Sequence, residues 1–237
     1  MKETIAKLTD CGGKEINDDT VYAEQNKGTY VFVGDGLGGY AGGRQASQAA
    51  GKAILAAAEK DSMLTEENLR KAASAADAAV RALQEETKGN MKTTLVFLAI
   101  EDGKARWMHV GDSRLYHFHE GEIAHQTMDH SVSQMAVLMG DITRDQIRFH
   151  EDRNRVLRAL GAENCKPDVF SQEVPVTSSD AFLLCTDGFW EYVYEEEMMA
   201  ALREAKDPEA WLSRMEKLLL GRVKEDNDNY TAAAVFC

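Results

Sequence analysis

Five aspartates could do chemistry together if the strands they flank bring them to one edge. Asp35 lies inside TYVFVGDGLGGYAGG, residues 29–43, where Gly34, Gly36 and Gly39 fit G-x-G-x-x-G. A dinucleotide-binding turn needs a βαβ unit, with an acid about 20 residues on at the end of a second parallel strand. Glu59 and Asp61 stand at that distance, but at the end of a helical pattern that a second helix follows. Asp35 itself would repel a pyrophosphate. The alternative starts from the other aspartates. Asp19 begins one strand of an expected hairpin and Asp35 ends the other, so antiparallel pairing sets them side by side. Asp187 ends the apolar strand DAFLLC, Asp112 ends RWMHV, and Asp228 precedes the closing strand NYTAAAVFC. Converging carboxylates repel unless a cation neutralises them, and an all-oxygen set suits Mg²⁺ or Mn²⁺ rather than zinc. Gly36 would let the turn close so that a backbone carbonyl faces a metal. The competing explanation is that each Asp-Gly pair is an ordinary turn.

The elements that must position these residues can be read along the chain. TVYAEQ and TYVFVG form strands around an Asn-Lys-Gly turn. Ala46, Ala49, Ala50, Ala53, Ile54 and Ala57 share one helical face. A second helix opens at a Thr cap with an acidic turn and ends at Gly89. Strands return as a meander: KTTLVFLAIEDG, KARWMHVGD, SRLYHFHEG and EIAHQT. Asp129 to Gly161 reads as helical and amphipathic. After the strand DAFLLC come two more helices, the second opened by Asp207-Pro208, and then the last strand. Hairpin-linked strands with segregated helix pairs predict an α+β fold: a four-layer α-β-β-α sandwich of two antiparallel sheets flanked by helix pairs.

Composition bounds the partners. The chain has 237 residues, 27 basic and 40 acidic, a net charge of −13 with no basic block, so a sequence-independent grip on nucleic acid is not expected. No apolar run approaches the roughly 20 residues that span a bilayer, and the start MKETIAKLTD lacks the apolar core of a signal peptide. Three prolines and no linker tract predict one domain over 1–237. Cys11, Cys165, Cys185 and Cys237, far apart, read as free thiols in a reducing cytoplasm. His117 and His119, on one strand face, read as solvated. Asp129-His130-Ser131 reads as a turn and helix cap rather than a hydrolase triad. Trp107 and Trp190 read as core or rim.

In this order the motifs resemble the metal-dependent type 2C serine/threonine protein phosphatases, as a bacterial-type single-domain member. GGKEINDDTVY is similar to the family's first motif, VFVGDGLGG to its D-G-x-G-G turn and KTTLVFLAI to its Gly-Thr-Thr strand. HVGDSRLY, LLCTDGFWEYV and DNDNYTAAAVF resemble its Gly-Asp-Ser-Arg, Asp-Gly-hydrophobic-Trp and Asp-Asn motifs. MDHSVSQMAVLMGDIT to NRVLRALG looks like a flap, at about 128–160. The resemblance implies two Mn²⁺ or Mg²⁺ ions bridged by Asp35, with the Gly36 carbonyl, Asp187 and Asp228 as further ligands and Asp19 acting largely through bound water. Asp18, where Glu is common, is placed as a ligand through water. Asp112 would help Asp187 hold a third, weaker ion. Lys14 takes the phosphate-binding position where Arg is usual, keeping the charge but losing the fork. Leu37 stands where animal members carry a candidate general-acid His.

The expected reaction is hydrolysis of phosphoserine and phosphothreonine in proteins. A metal-bridging hydroxide attacks phosphorus directly, with Asp35, Asp187 and Asp228 as the catalytic carboxylates. Phosphorylated substrates of a serine/threonine kinase are the implied partners, in signalling. The expected setting is a cytoplasmic monomer bound to neither nucleic acid nor membrane. Two other readings share the fold: a non-catalytic phosphoprotein-binding regulator and a small-metabolite phosphatase.

Overall fold

The computed structural model describes residues 3–38 and 42–237. Gly39, the third glycine of the G-x-G-x-x-G match, lies outside the described residues. The chain opens with β1 (Thr4–Asp10), β2 (Thr20–Gln25), β3 (Thr29–Gly34) and the two-residue β4 (Gly36–Leu37). Helices α1 (Gly42–Ala58) and α2 (Glu66–Thr87) follow. Next come β5 (Lys92–Thr93), β6 (Leu95–Glu101), β7 (Lys104–Val110), β8 (Arg114–His119), β9 (Glu122–Gln126) and α3 (Val132–Met139). The remainder is β10 (Asp168–Val169), β11 (Val174–Pro175), β12 (Asp180–Cys185), the one-turn α4 (Asp187–Trp190), α5 (Glu195–Glu204), α6 (Pro208–Leu220) and β13 (Tyr230–Phe236).

Two antiparallel sheets carry the fold. One has the order β1-β13-β12-β8-β9; the other runs β10-β7-β6-β3-β2, with β11 also on β7. Period-two alternation splits each strand between two interfaces. On β3, Val31 and Val33 enter the space between the sheets, with Val96, Leu98, Trp107, Phe182, Leu184 and Val235. Tyr30 and Phe32 face the other way, onto the α1/α2 layer of Ala46, Ala50, Ile54, Leu69 and Ala76. On the opposite side, Tyr116, Phe118 and Leu183 meet Trp190, Met198, Trp211 and Met215 of α4, α5 and α6. The predicted four-layer sandwich is therefore present. Phe182, fully buried between the sheets, contributes on the order of 3–5 kcal/mol by the cost of truncation to Ala.

Helix boundaries follow local chemistry. Thr65 Oγ1 accepts from the Asn68 N–H to start α2, and Asp207 with Pro208 starts α6. The left-handed residue ending α2 is Lys88, at φ 55°, one place before the expected Gly89.

One strand goes unread in the sequence, and three expectations need correction. The strand β1, which no sequence pattern marks, pairs along its whole length with β13. It is an edge strand whose partner lies at the far end of the chain, so it carries no hairpin signal. The supposed meander divides: β6 pairs β7 and β8 pairs β9, but Gly111–Ser113 carries the chain from one sheet into the other. The segment from Asp129 to Gly161 is not helical throughout. It holds α3 and a 3-10 turn at Arg144–Phe149. Beyond it, Leu157 and Leu160 donate to the His130 and Thr93 carbonyls, so pairing with distant backbone displaces a helix. Finally, His117 is buried: its Nε2 meets Asp180 Oδ1 at 2.8 Å, and half-exposed His119 meets the same oxygen at 2.9 Å. The shared face was right, but it turns inward against Phe182 and Trp107. All four cysteines are unpaired, as expected, and Trp107 and Trp190 are core.

Candidate metal centre

The β2/β3 register brings the first two aspartates together. Thr20 pairs with Gly34, so Asp19 and Asp35 flank adjacent strand ends. The Asp35 N–H donates to Thr94 Oγ1 at 2.8 Å, and its carbonyl accepts from the Thr94 N–H and the Thr93 hydroxyl at 2.9 Å. With its backbone fixed at both groups, its side chain is aimed rather than free. Across the sandwich, Thr186 donates its N–H to Thr231 O at 3.0 Å, which registers Asp187 against the approach to β13 and Asp228. Asp112 sits in the Gly111–Ser113 crossover. The strand ends of one sheet thus supply Asp19 and Asp35, those of the other supply Asp187 and Asp228, and Asp112 comes from the crossover between them.

The electrostatics show how close these groups are. Burial pushes the Asp35 carboxyl well above the usual carboxylate range, and the charges of Asp187, Asp19, Asp112 and Asp228 push it further. Asp187 is raised by burial, then by Asp112, Glu191, Asp228 and Asp19. Burial lifts Asp19 to about 7 in spite of hydrogen bonds from Thr231 and Thr186. Asp112 is lifted to about 7 by burial and by Asp129, with Arg114 opposing.

The hydrogen bonds that the five carboxylates do accept come from neutral donors, such as the Thr186 hydroxyl on Asp19 and the neighbouring N–H groups on Asp187 and Asp228. Among the described residues no Lys or Arg side chain bonds to any of them. Asp19 Oδ1 and both oxygens of Asp112 are buried without any donor. Isolated buried carboxylates are costly unless paired or metal-bound. This donor set therefore fits hard divalent cations.

The remaining predicted residues can be placed individually. Gly36 packs so tightly that an added Cβ would lie 2.2 Å from Gly43 O and 2.6 Å from Asp18 O. Its need for glycine is this close approach, not a special turn conformation. A Cβ on Gly43 would lie 2.3 Å from Gly36 O and 3.0 Å from the Asp18 carboxyl carbon, so those two groups are neighbours. Asp18 also anchors a helix, because its Oδ1 accepts from the Arg44 N–H at 2.9 Å in the first turn of α1. Lys14, exposed on the Cys11–Lys14 turn, lines a cleft of about 420 Å³ with Asp187, Asp228, Glu191, Arg153 and Asn154. A larger groove of about 580 Å³ lies between α5 and α6, where Glu204 pairs with Arg214 and Glu197 with Arg222.

Two contributors were missed. Glu191 adds its field to Asp187 and Asp112 and pairs with Arg153 at 3.0 Å. Its signal was available: it stands four residues after Asp187, one helical turn on. Asn229 accepts from the Asp18 N–H and donates to the Cys11 and Ile16 carbonyls, bolting the Lys14 loop to the last strand. Nothing local in the sequence marks that role. Asp129-His130-Ser131 is a cap as expected, Ser131 Oγ accepting from the Gln134 N–H at 3.2 Å.

Comparison with known proteins agrees with this architecture. The profile of the family described as protein phosphatase 2C matches residues 12–220. The chain is 32% identical over 199 residues to the serine/threonine phosphatase stp of Listeria innocua, covering 80% of this chain and 79% of that protein. It is also 32% identical over 197 residues to the serine/threonine protein phosphatase PstP of Mycobacterium tuberculosis, covering 79% of this chain but only 36% of PstP's length. The crystal structure of the PstP catalytic domain in complex with 2 manganese ions superposes with a TM-score of 0.84 at 28% identity, covering 99% of this chain and 97% of that one. The chain belongs to the protein phosphatase 2C family.

Proposed function

We propose that this chain hydrolyses phosphoserine and phosphothreonine esters in proteins, using Mn²⁺ or Mg²⁺. The observation that carries the reading is the convergence of carboxylates from the strand ends of both sheets, among which Asp19 and Asp112 keep buried oxygens without a donor. Asp35, Asp187, Asp228 and the Gly36 carbonyl would hold two ions, Asp19 and Asp18 would steady their water shells, and Asp112 with Asp187 would take a third, weaker one. When bound, such ions acidify water to give a nucleophile near neutral pH and neutralise phosphoryl charge. The protein's own groups do the rest. Lys14, at the cleft with Asp187 and Asp228, binds the phosphate as a point charge. The Asp35 backbone is fixed within its own sheet, and the Thr186 hydroxyl, which donates to Asp19 Oδ2 at 2.8 Å, ties the Asp187 end of one sheet to the Asp19 end of the other. We assign 1–237 as one catalytic unit in which residues 128–160 form a flap, and phosphorylated proteins as the partners.

The direct test is phosphate release from a phosphothreonine peptide. Turnover should vanish after exhaustive chelation and return with Mn²⁺. Full activity in the chelated protein would sink the reading, and hydrolysis of small phosphoesters but no phosphopeptide would redirect it to metabolites.

A further inference from the structure

The Gly111 backbone is held at both of its groups by a single residue. The His130 N–H donates to Gly111 O at 2.8 Å, and the Gly111 N–H donates to His130 Nδ1 at 3.1 Å. Gly111 has φ 102°, and a Cβ there would meet Thr94 Cγ2 at 2.6 Å, so this turn admits no other residue without strain. Its successor is Asp112, whose carbonyl accepts from Trp190 Nε1 at 2.9 Å. The hydroxyl of the following Ser113 bonds Thr94 at 2.7 Å. The Gly111 N–H and carbonyl and the Asp112 carbonyl are thus all held, while both oxygens of the Asp112 carboxylate lack a donor.

His130 also belongs to the base of the flap. Its carbonyl accepts from the Leu157 N–H at 2.7 Å, near the flap's far end. Its Nε2 lies 3.1 Å from Asp168 Oδ2, and Arg158 holds the other Asp168 oxygen at 3.0 Å. Its ring stacks on His109 at 4.7 Å between centroids. His109, His130 and Asp168 place ligand atoms within 4.8 Å of one another, close enough to suggest a metal. The proton positions argue otherwise. Because Nδ1 accepts from Gly111, the ring proton is on Nε2, where it faces Asp168. A metal on Nε2 would force a proton onto Nδ1, against the Gly111 N–H.

We propose that His130 is a positioning residue: its bonds to Gly111 fix the aim of Asp112, and so link the base of the flap to the weaker cation site. The inference rests on Asp112 being a ligand of that site. His130→Phe keeps the ring stack and removes the acceptor, whereas His130→Asn retains an acceptor near the position of Nδ1. Three measurements on the full chain decide it: exchange of the Gly111 amide without metal, calorimetric Mn²⁺ titration, and kcat and KM on a phosphothreonine peptide. His130→Phe should speed Gly111 exchange, weaken the weakest Mn²⁺ by about tenfold, as loss of an outer partner of a ligand does, and lower kcat at constant KM. The two tighter ions should be unaffected. His130→Asn should restore all three readouts, and in an Asp112→Ala background His130→Phe should add nothing. Parental Mn²⁺ affinity in His130→Phe, an equal loss in His130→Asn, or additive losses with Asp112→Ala would overturn the inference. If the parent chain turned over no peptide at all, the phosphatase reading would fail, and Gly111 exchange with Mn²⁺ calorimetry would still decide the role of His130.

Discussion

Two kinds of buried aspartate stand in this protein. Asp129 receives a two-pronged bond from Arg114, at 2.8 and 2.7 Å, and Arg114 itself lies 3.4 Å over the Trp190 ring. Asp180 is likewise satisfied, by His117, His119 and both donors of Thr177. Asp112 is as deeply buried as either, with 2% of its surface exposed, yet neither oxygen has a donor. The same side chain therefore serves opposite ends. Where the protein supplies the counter-charge, the aspartate closes a structure; where it withholds one, the carboxylate is left open to the cation proposed above.

Breaking the satisfied side should cost stability. Asp129→Ala leaves Arg114 buried with Glu195, at 3.5 Å, as its acidic partner among the described residues. A loss of about 3–5 kcal/mol is expected for an uncompensated buried charge, measured by urea unfolding. By contrast, Asp112→Asn should raise the unfolding midpoint of the metal-free protein, because it removes an unpaired ionisable group. A fall comparable to that of Asp129→Ala would erase the distinction.

Breaking the unsatisfied side should cost activity instead. Asp187→Asn should lower turnover on the order of a hundredfold with the fold intact, since one anionic ligand becomes neutral. Peptide turnover at limiting Mn²⁺ is the measurement, and a parental rate would reject Asp187 as a ligand. Lys14→Ala should act more gently, raising KM for small phosphoesters by roughly several-fold while kcat and metal binding hold. A collapse of metal binding would give Lys14 another role.

The smallest effect is a pH dependence of stability without metal. Asp19 and Asp112, raised to about 7, stay protonated in the fold after they have ionised in the unfolded chain. Their contribution is therefore full below the unfolded carboxylate range and is lost as pH rises through about 7. Asp35 and Asp187, also raised, lose stability in the same direction. The histidines oppose this. His109, held down to about 4 by burial, and His125 and His130, lowered for the same reason, are neutral in the fold and must take up protons on unfolding. Their slope is positive, but it ends near the unfolded histidine value of about 6.5. Above that value the carboxylates act unopposed. Thermal scans with chelator should be shallow on the acid side and fall more steeply from about pH 6.5 upward. Saturating Mn²⁺ should abolish the fall, and a scan indifferent to Mn²⁺ there would count against cation binding by these groups.

The pairing of Asp19 with Asp35 was legible in the sequence because a hairpin is local: its turn and its two alternating strands fix which ends meet. Asp187 and Asp228 were legible because each abuts a strongly apolar strand. What escaped depends on contacts distant in sequence. The edge strand β1 pairs with the last strand of the chain, Asn229 acts through the Lys14 loop, and Asp18 turns out to hold the start of α1. The flap's amphipathic spacing suggested continuous helix, but Leu160 is drawn into pairing with Thr93 instead. His117 showed its face correctly but not its direction, because alternation cannot say which side of a strand meets a second sheet.

The crossover at Gly111–Ser113 means that the candidate ligands come from both sheets, at one end of the sandwich. Their spacing is thus a direct gauge of how far apart the sheets stand. A small splaying of that end would leave every strand's own ladder intact and still scatter the carboxylates. Under mild urea, inactivation should run ahead of the loss of circular dichroism, and a cation spanning the gap would act as a rivet that delays both.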